Sequence, residues 1–248
     1  ELVIELNNLR KGESLESDGD LIAFRNSTLE DINKLNTIDS NVRINTIDNL
    51  CDVFLKNFDE IISDFHYLSN NRESCFLNKT NTLIGNQIFI EKGAEVSCAV
   101  LNSEEGPIYI GKNVKIMEGS IIRGPFAILD NSVVKMGAKL YGGTTIGPFC
   151  KVGGEINNTV FLGYSSKAHD GFIGNSVIGE WCNLGADTNN SNLKNNYADV
   201  KMWNYIKESF QNTGLQFCGL IMGDYSRCSI NTMFNTGTVV GVSANIFG

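Results

Sequence analysis

The sequence is poor in several residue types that common protein classes require. The 248 residues include 3 prolines and 2 histidines, and 19% of them are charged. Acidic residues outnumber basic ones by 28 to 20, so the chain offers no basic excess for a nucleic-acid backbone. No apolar run approaches the roughly 18 residues that a membrane span requires. These absences exclude nucleic acid and a membrane as the main partners.

Targeting and redox signals are also scarce. The sequence begins at Glu1 without a basic segment followed by an apolar one, so no secretion signal is predicted, and the missing initial Met indicates a fragment. The cysteines are odd in number and form no Cys-x-x-Cys pair, which favours reduced thiols of a cytoplasmic protein, mostly acting as small core residues. They are Cys51, Cys75, Cys98, Cys150, Cys182, Cys218 and Cys228.

The chain is instead rich in glycine, with 25 residues, and it repeats with a period of six. An aliphatic residue returns at Ile110, Ile116, Ile122, Ile128, Val134, Leu140, Ile146 and Val152. The same spacing holds in shorter runs before and after, at Ile84, Ile90 and Val96, at Ile178 and Leu184, and from Met222 through Cys228, Phe234 and Val240 to Ile246. Breaks in phase between the runs are expected to be loops.

A period of six fits neither an amphipathic helix nor a plain alternating strand. It predicts coils of three short strands, in which one aliphatic residue per strand points inward and about 18 residues close one coil. Successive coils would then stack like parallel strands, roughly 4.8 Å apart. An ordinary β-sandwich with accidental spacing is the alternative.

The six-residue pattern resembles that of the hexapeptide-repeat acyltransferases, which form left-handed parallel β-helices. The resemblance alone implies the left hand. The expected fold is therefore mainly β, a left-handed parallel β-helix with a short α+β segment at its N-terminal side. A short helix is expected to leave the coils near 198–212, because apolar residues there follow helical spacing. These residues are Val200, Trp203, Ile206 and Phe210.

The N-terminal 75 residues lack the repeat. Two helices are predicted there, one over 29–35 after a capping-type Ser27-Thr28 start and one over 47–58 with Leu50, Phe54 and Phe58 on one face.

Histidine chemistry has two candidates. His66 is expected to be structural, whereas His169 lies in a polar loop and is either a general base or a satisfied surface histidine. Lys167 and Arg123 are either phosphate contacts or solvated charges. The asparagines of 183–196 suit sugar hydroxyls, left-handed turns or stacked amide ladders.

A more specific resemblance rests on the run Lys167-Ala168-His169 to Phe172-Ile173-Gly174, on Asn183 to Ala186, and on the segments 106–111, 122–126, 153–158 and 217–224. These segments resemble the acetyltransferase domain of bifunctional N-acetylglucosamine-1-phosphate uridylyltransferases and, more closely, a Bacteroidetes group of sugar-phosphate nucleotidyltransferase-like proteins. The resemblance implies His169 as general base and acetyl-CoA as co-substrate. It also implies Asn183 and Asn192 on the sugar, Arg123 and Lys167 near phosphate, and Ala186 beside the pantetheine arm.

Two positions depart from that family. Phe172 stands where the family has a sugar-contacting tyrosine, and Asn157-Asn158 stand near the position of a phosphate-binding lysine.

The resemblance divides the chain at residue 75. Residues 1–75 look like the end of a nucleotidyltransferase domain without its Gly-rich loop, and residues 76–248 look like the acyltransferase β-helix. The expected function is N-acetylation of an amino-sugar phosphate such as glucosamine 1-phosphate by a homotrimer within sugar-nucleotide biosynthesis. No metal is needed for that step, and Mg²⁺ would belong to the missing nucleotidyl half. The alternatives are a sugar-1-phosphate nucleotidyltransferase whose β-helix serves trimerisation or regulation, and a non-catalytic sugar-phosphate-binding scaffold.

Overall fold

The computed structural model describes residues 2–25, 35–42 and 44–247. The chain forms two compact units, Glu1–Asp48 and Asn49–Gly248. The boundary between these units precedes the expected one at residue 75, because the helix over 52–69 belongs to the second unit. Most of the predicted 29–35 helix, residues 29–34, lies outside the described residues.

The first unit is a small α+β piece, as the sequence predicts. Helix α1 (Leu2–Asn8) is followed by strand β1 (Glu13–Ser17), which pairs antiparallel with β2 (Asp20–Arg25) and parallel with β3 (Asn36–Asp39). Leu15 is buried in this unit.

The second unit opens with α2 (Asp52–Ser69), which replaces the predicted 47–58 helix with a later start and a longer course. Phe54 is fully buried, whereas Leu50 and Phe58 are exposed, so the buried face continues instead through Ile61 and Phe65. No helix in the described part of the chain is long and apolar enough to cross a membrane.

The rest of the second unit is a parallel β-solenoid of about nine coils, which confirms the β-helix prediction. In chain order its strands are β4 (Thr82–Ile84), β5 (Ile88–Ile90), β6 (Glu95–Val96), β7 (Val100–Asn102), β8 (Ile108–Ile110), β9 (Lys115–Ile116), β10 (Ile121–Arg123), β11 (Phe126–Ile128), β12 (Val133–Val134), β13 (Lys139–Leu140), β14 (Thr144–Ile146), β15 (Lys151–Val152), β16 (Glu155–Phe161), β17 (Ser166–Lys167), β18 (Phe172–Ile178), β19 (Asn183–Leu184), β20 (Asn189–Asn190), β21 (Lys201–Asn204), β22 (Ser209–Asn212), β23 (Leu220–Met222), β24 (Arg227–Cys228), β25 (Met233–Phe234), β26 (Thr238–Val240) and β27 (Asn245–Ile246).

The strand pairing defines three walls. Wall 1 contains β5, β8, β11, β14, the second halves of β16 and β18, then β23 and β26. Wall 2 contains β6, β9, β12, β15, β17, β19, β24 and β27. Wall 3 contains β4, β7, β10, β13 and the first halves of β16 and β18. Strand β20 follows on the next coil, where the side-chain amide oxygen of Asn189 accepts a hydrogen bond from the Phe172 N–H at 2.8 Å.

The repeat aliphatics form the core inside these walls. Ile110, Ile128 and Ile146 lie in register on successive coils of wall 1, and all three are fully buried. Leu101, Ile122 and Leu140 do the same on wall 3. The six-residue period therefore marks the inward positions, as predicted.

The corner between walls 1 and 2 carries a stack of exposed aromatic rings. Phe149, Tyr164, Trp181 and Tyr225 occupy it on successive coils, each with a left-handed backbone φ between 53° and 60°. Neighbouring ring centroids are 5.2, 4.7 and 6.4 Å apart with nearly parallel planes. Earlier coils place Asn113 and Asn131 at this corner, with Asn113 donating to the Asn131 amide oxygen at 3.3 Å.

A charged cluster joins the chain after α2 to the first coils. Arg72 Nη2 lies 2.6 and 2.8 Å from the two Glu91 carboxylate oxygens, and the Tyr109 hydroxyl donates to the same carboxylate at 2.8 Å. Burial, followed by the hydrogen bond to Glu91, raises the pKa of Tyr109 to about 12.

The predicted helix near 198–212 is wrong. Strands β21 and β22 form an antiparallel hairpin there, in which Trp203 and Phe210 are paired with ring centroids 5.3 Å apart. Val200 and Met202 are buried on either side of the exposed Lys201, which is strand alternation. Ile206, which completed the helical pattern, is in the hairpin turn and is 95% exposed.

Adjacent isoleucines on β10 provide a matched test of this core. Ile122 is fully buried, whereas its neighbour Ile121 is 49% exposed. Ile122→Ala should lower the free energy of unfolding by about 2–5 kcal/mol, because it removes buried methyl groups and leaves a cavity between coils. Ile121→Ala should change it by about 0.5 kcal/mol or less. Denaturant unfolding followed by circular dichroism measures both, and equal effects would contradict the inward assignment.

Candidate functional site

The candidate site is at the corner between walls 2 and 3, where the turn 168–171 connects β17 to β18. His169 and Asp170 are both exposed in this turn. Gly171 closes the turn with φ +118°, and a Cβ there would lie 2.1 Å from the Thr188 carbonyl oxygen of the next coil. Only glycine therefore allows the turn to pack directly against the following coil.

An open cavity of about 330 Å³ adjoins this turn. Its charged lining residues are Lys139, Glu155, Asp170 and Asp187, with Lys139 Nζ 3.8 Å from a Glu155 carboxylate oxygen. The remaining lining residues are Gly137, Gly154, Gly171, Phe172 and Asn189. Because three carboxylates face one ammonium, the cavity favours a cationic group.

A second depression of about 240 Å³ lies further along wall 3 and shares Lys139 with the first. It is lined by Ile121, Arg123, Lys139, Leu140 and Tyr141. Arg123 Nη2 is paired with a Glu105 carboxylate oxygen at 2.6 Å, while its Nε is buried without a hydrogen bond in the described structure. The charged groups lining this depression, Arg123 and Lys139, are both basic, and each lies beside a carboxylate, Glu105 and Glu155 respectively.

Lys167, expected near a phosphate, lies inside the coils. Its Cα pairs with that of Val152, so it occupies an inward position, and only 1% of its surface is exposed. Its Nζ donates to the His169 carbonyl at 2.7 Å and to the Gly153 carbonyl at 3.1 Å. Burial lowers the pKa of Lys167 to about 8, against the attraction of Asp170 and Asp187. This geometry favours a role within the corner rather than a surface phosphate contact.

Asn192, expected on the sugar, is part of an amide ladder at the corner between walls 3 and 1. Its Nδ2 donates to Asn175 Oδ1 at 2.8 Å. Asn175 Nδ2 donates in turn to the amide oxygen of Asn158 at 3.0 Å, in the orientation that lets the Asn158 amide donate to the Phe54 carbonyl at 2.9 Å. The ladder thus connects three coils to helix α2. Asn192 therefore has the role of a stacked amide, which the sequence allows as an alternative to binding sugar hydroxyls.

The other expected site residues lie at different places around the coils. Ala186 is at the same corner as His169, between β19 and β20, and its carbonyl accepts the Asn231 N–H at 2.8 Å. Asn183 is exposed on wall 2, paired with Ser166 and Arg227. Arg123 ends β10 at the far edge of wall 3. The structure brings His169 and Ala186 to one corner and does not bring Asn192 or Lys167 into the cavity.

Sequence reasoning missed the acidic character of this corner. Asp170 and Asp187 occupy the connections after β17 and β19, strands that are adjacent in wall 2. In the sequence, the acidic corner could have been found from these two carboxylates, which are spaced about one coil apart in a repeat that otherwise carries little charge. Phe172, noted as a departure from the family, lines the same cavity, and its ring covers Gly174, where a Cβ would lie 2.5 Å from the Phe172 Cζ.

The buried ammonium of Lys167 predicts a pH dependence of stability. Between the folded pKa of about 8 and the ordinary lysine value of 10.5, the unfolded chain binds more protons, so the unfolding free energy should rise with pH. Below pH 8 both states are charged and the full penalty, about 3 kcal/mol, should act.

Denaturant unfolding of the wild type and Lys167→Met across pH 7–10 measures this rise. The difference between the two proteins should change with pH, whereas Tyr109 titrates in both and cancels. A difference that is constant with pH would contradict the buried charge.

No family model and no curated protein matches this sequence.

Proposed function

We propose that this chain is an acetyl-CoA-dependent N-acetyltransferase that acts on an amino-sugar phosphate, with His169 as general base. The observation that carries the proposal is the position of His169, in an exposed turn whose next two residues line an acidic cavity. A base beside a site for a cationic amine is the arrangement that amine acylation requires. The resemblance to the hexapeptide-repeat acyltransferases supports the same chemistry.

The reaction needs a neutral amine. Asp170 and Asp187 would hold the substrate ammonium near His169, where it gives one proton to solvent and becomes the neutral amine. The amine nitrogen attacks the thioester carbonyl carbon, so the C–N bond forms and the C–S bond breaks. His169 accepts the proton released by the nitrogen and returns it to the departing thiolate, which leaves as free CoA. The His169 side chain is exposed in its turn, so a substrate can reach its ring.

Carboxylates at the cavity beside His169 and the guanidinium of Arg123 further along wall 3 would suit a substrate that carries an amine and a phosphate. Its amine would occupy the acidic cavity, and its phosphate would lie toward the depression lined by Arg123 and Lys139. In this proposal Asn183 contacts the sugar and Ala186 contacts the pantetheine arm. Lys167 and Asn192 do not contact the substrate. Assembly as a homotrimer in the cytoplasm is part of the same proposal.

A second candidate is a non-catalytic scaffold that binds a sugar phosphate. It is favoured by the structural engagement of Asn192 in the amide ladder and of Lys167 inside the coils, since both were expected in the site. Only the enzyme requires acetyl-CoA to bind beside His169.

The two histidines provide the first test. His169→Ala should lower the rate of thiol release from acetyl-CoA, with an amino-sugar phosphate as acceptor, by about two to four orders of magnitude, because the base is lost. His66→Ala should leave the rate unchanged, since His66 is exposed on α2. Equal rates for wild type and H169A would reject His169 as the base, and no release by the wild type would favour the scaffold.

The acidic cavity makes a separate prediction for substrate affinity. Asp187→Asn should raise the KM for the amine by about two- to fivefold with little change in kcat, because one exposed carboxylate contributes a modest attraction. Glu180→Gln removes the same charge at the corner between walls 1 and 2 of the same coil and is the matched control. A similar KM for both variants would place the amine elsewhere.

A further inference from the structure

Lys167 interrupts an apolar row inside wall 2. The other inward residues of this wall are Val96, Ile116, Val134, Val152, Leu184, Cys228 and Ile246. An ammonium among them loses its hydration, which is unfavourable unless its donors find partners. The presence of a lysine at this inward position therefore requires a physical reason other than filling the core.

The partners of the Lys167 ammonium are two carbonyls at one corner. It donates to His169 within its own turn and to Gly153 of the preceding coil. Among the described residues no other hydrogen bond reaches either carbonyl. The side chain thus joins the turn that carries His169 to the coil beneath it, through two charge-assisted bonds.

We propose that Lys167 is a positioning residue, which from inside the coils holds the backbone of the turn 168–171 and so sets the direction of the His169 imidazole. Its catalytic consequence rests on the proposed function, whereas its effect on the turn does not.

The charges around the ammonium act in the same direction. Asp170, in the turn itself, and Asp187, from the next coil, attract it, and the backbone carbonyls supply its hydrogen bonds. When the amine loses its proton, near pH 8, the two bonds lose their charge assistance and the turn is held less firmly. The environment of His169 should therefore respond to the protonation of Lys167.

Proton magnetic resonance of the two imidazoles tests this in the full chain without any ligand. In the wild type, the His169 ring-proton resonances should show an inflection near pH 8, where the Lys167 ammonium loses its proton. Lys167→Met should remove that inflection, because no ammonium is left to titrate inside the coils. His66, on α2, is the internal control, and its ring resonances should be the same in both proteins at each pH.

Lys151→Met is the matched control variant. Lys151 is exposed on the preceding strand of wall 2, paired with Ser166, so the same substitution there should leave the resonances of both histidines unchanged, including the inflection near pH 8 at His169. His169 resonances that follow the same course with pH in the wild type and K167M would overturn the proposal. If K167M does not fold, the wild type decides: an inflection near pH 8 at His169 and not at His66 supports the proposal, and its absence overturns it.

Acetyl transfer by the same proteins adds a kinetic readout. K167M should lower kcat about tenfold or more and leave the KM for acetyl-CoA within about twofold, because the base is misplaced rather than removed. K151M should match the wild type. No acetyl transfer by the wild type would reject the proposed function while the resonance comparison still decides the role of Lys167. Transfer with unchanged resonances would reject the positioning role alone.

Discussion

The structure depends on one constraint, the stacking of inward aliphatic side chains from coil to coil. Each wall contributes at least one inward apolar residue to most coils, and the parallel backbone ladder holds residues such as Ile110, Ile128 and Ile146 in register. Burial of these side chains is the main favourable term, since each removes apolar surface from water. Because the inward row must stay continuous, insertions occur only between strands, as the β21–β22 hairpin shows.

That constraint leaves the corners free to differ. The corner between walls 1 and 2 stacks aromatic rings, the corner between walls 3 and 1 stacks amides against helix α2, and the corner between walls 2 and 3 carries His169 and two carboxylates. Left-handed backbone at these corners is tolerated by asparagine at little cost and by the aromatic residues at more. The aromatic corner offsets part of that cost through contacts between parallel rings. The functional proposals concern the corner that carries His169, Asp170 and Asp187.

Lys167 marks the point where the core and this corner meet. A lysine at an inward position breaks the apolar rule that the rest of wall 2 obeys, and its ammonium bonds the carbonyl of His169. Departures from a local rule concentrate at functional or strained positions. The resemblance implies that Lys167 lies near a phosphate at the surface, whereas the structure places its ammonium inside the coils.

The sequence by itself determined the coil, because a six-residue period assigns each aliphatic residue to the inside before any contact is known. It also indicated the α+β start, the helix containing Phe54 and the turn carrying His169. It did not indicate the hairpin. The spacing of Val200, Trp203, Ile206 and Phe210 fits a helix, but the structure buries Val200 and Met202 together, and this strand alternation overrides the helical spacing. Only the tertiary structure decided which outward side chains meet. Lys139 and Asp187 line one cavity although they are far apart in sequence. The loops that break the repeat change the length of successive coils. The period therefore fixes whether a side chain points inward or outward, but not which side chain is its neighbour on the next coil.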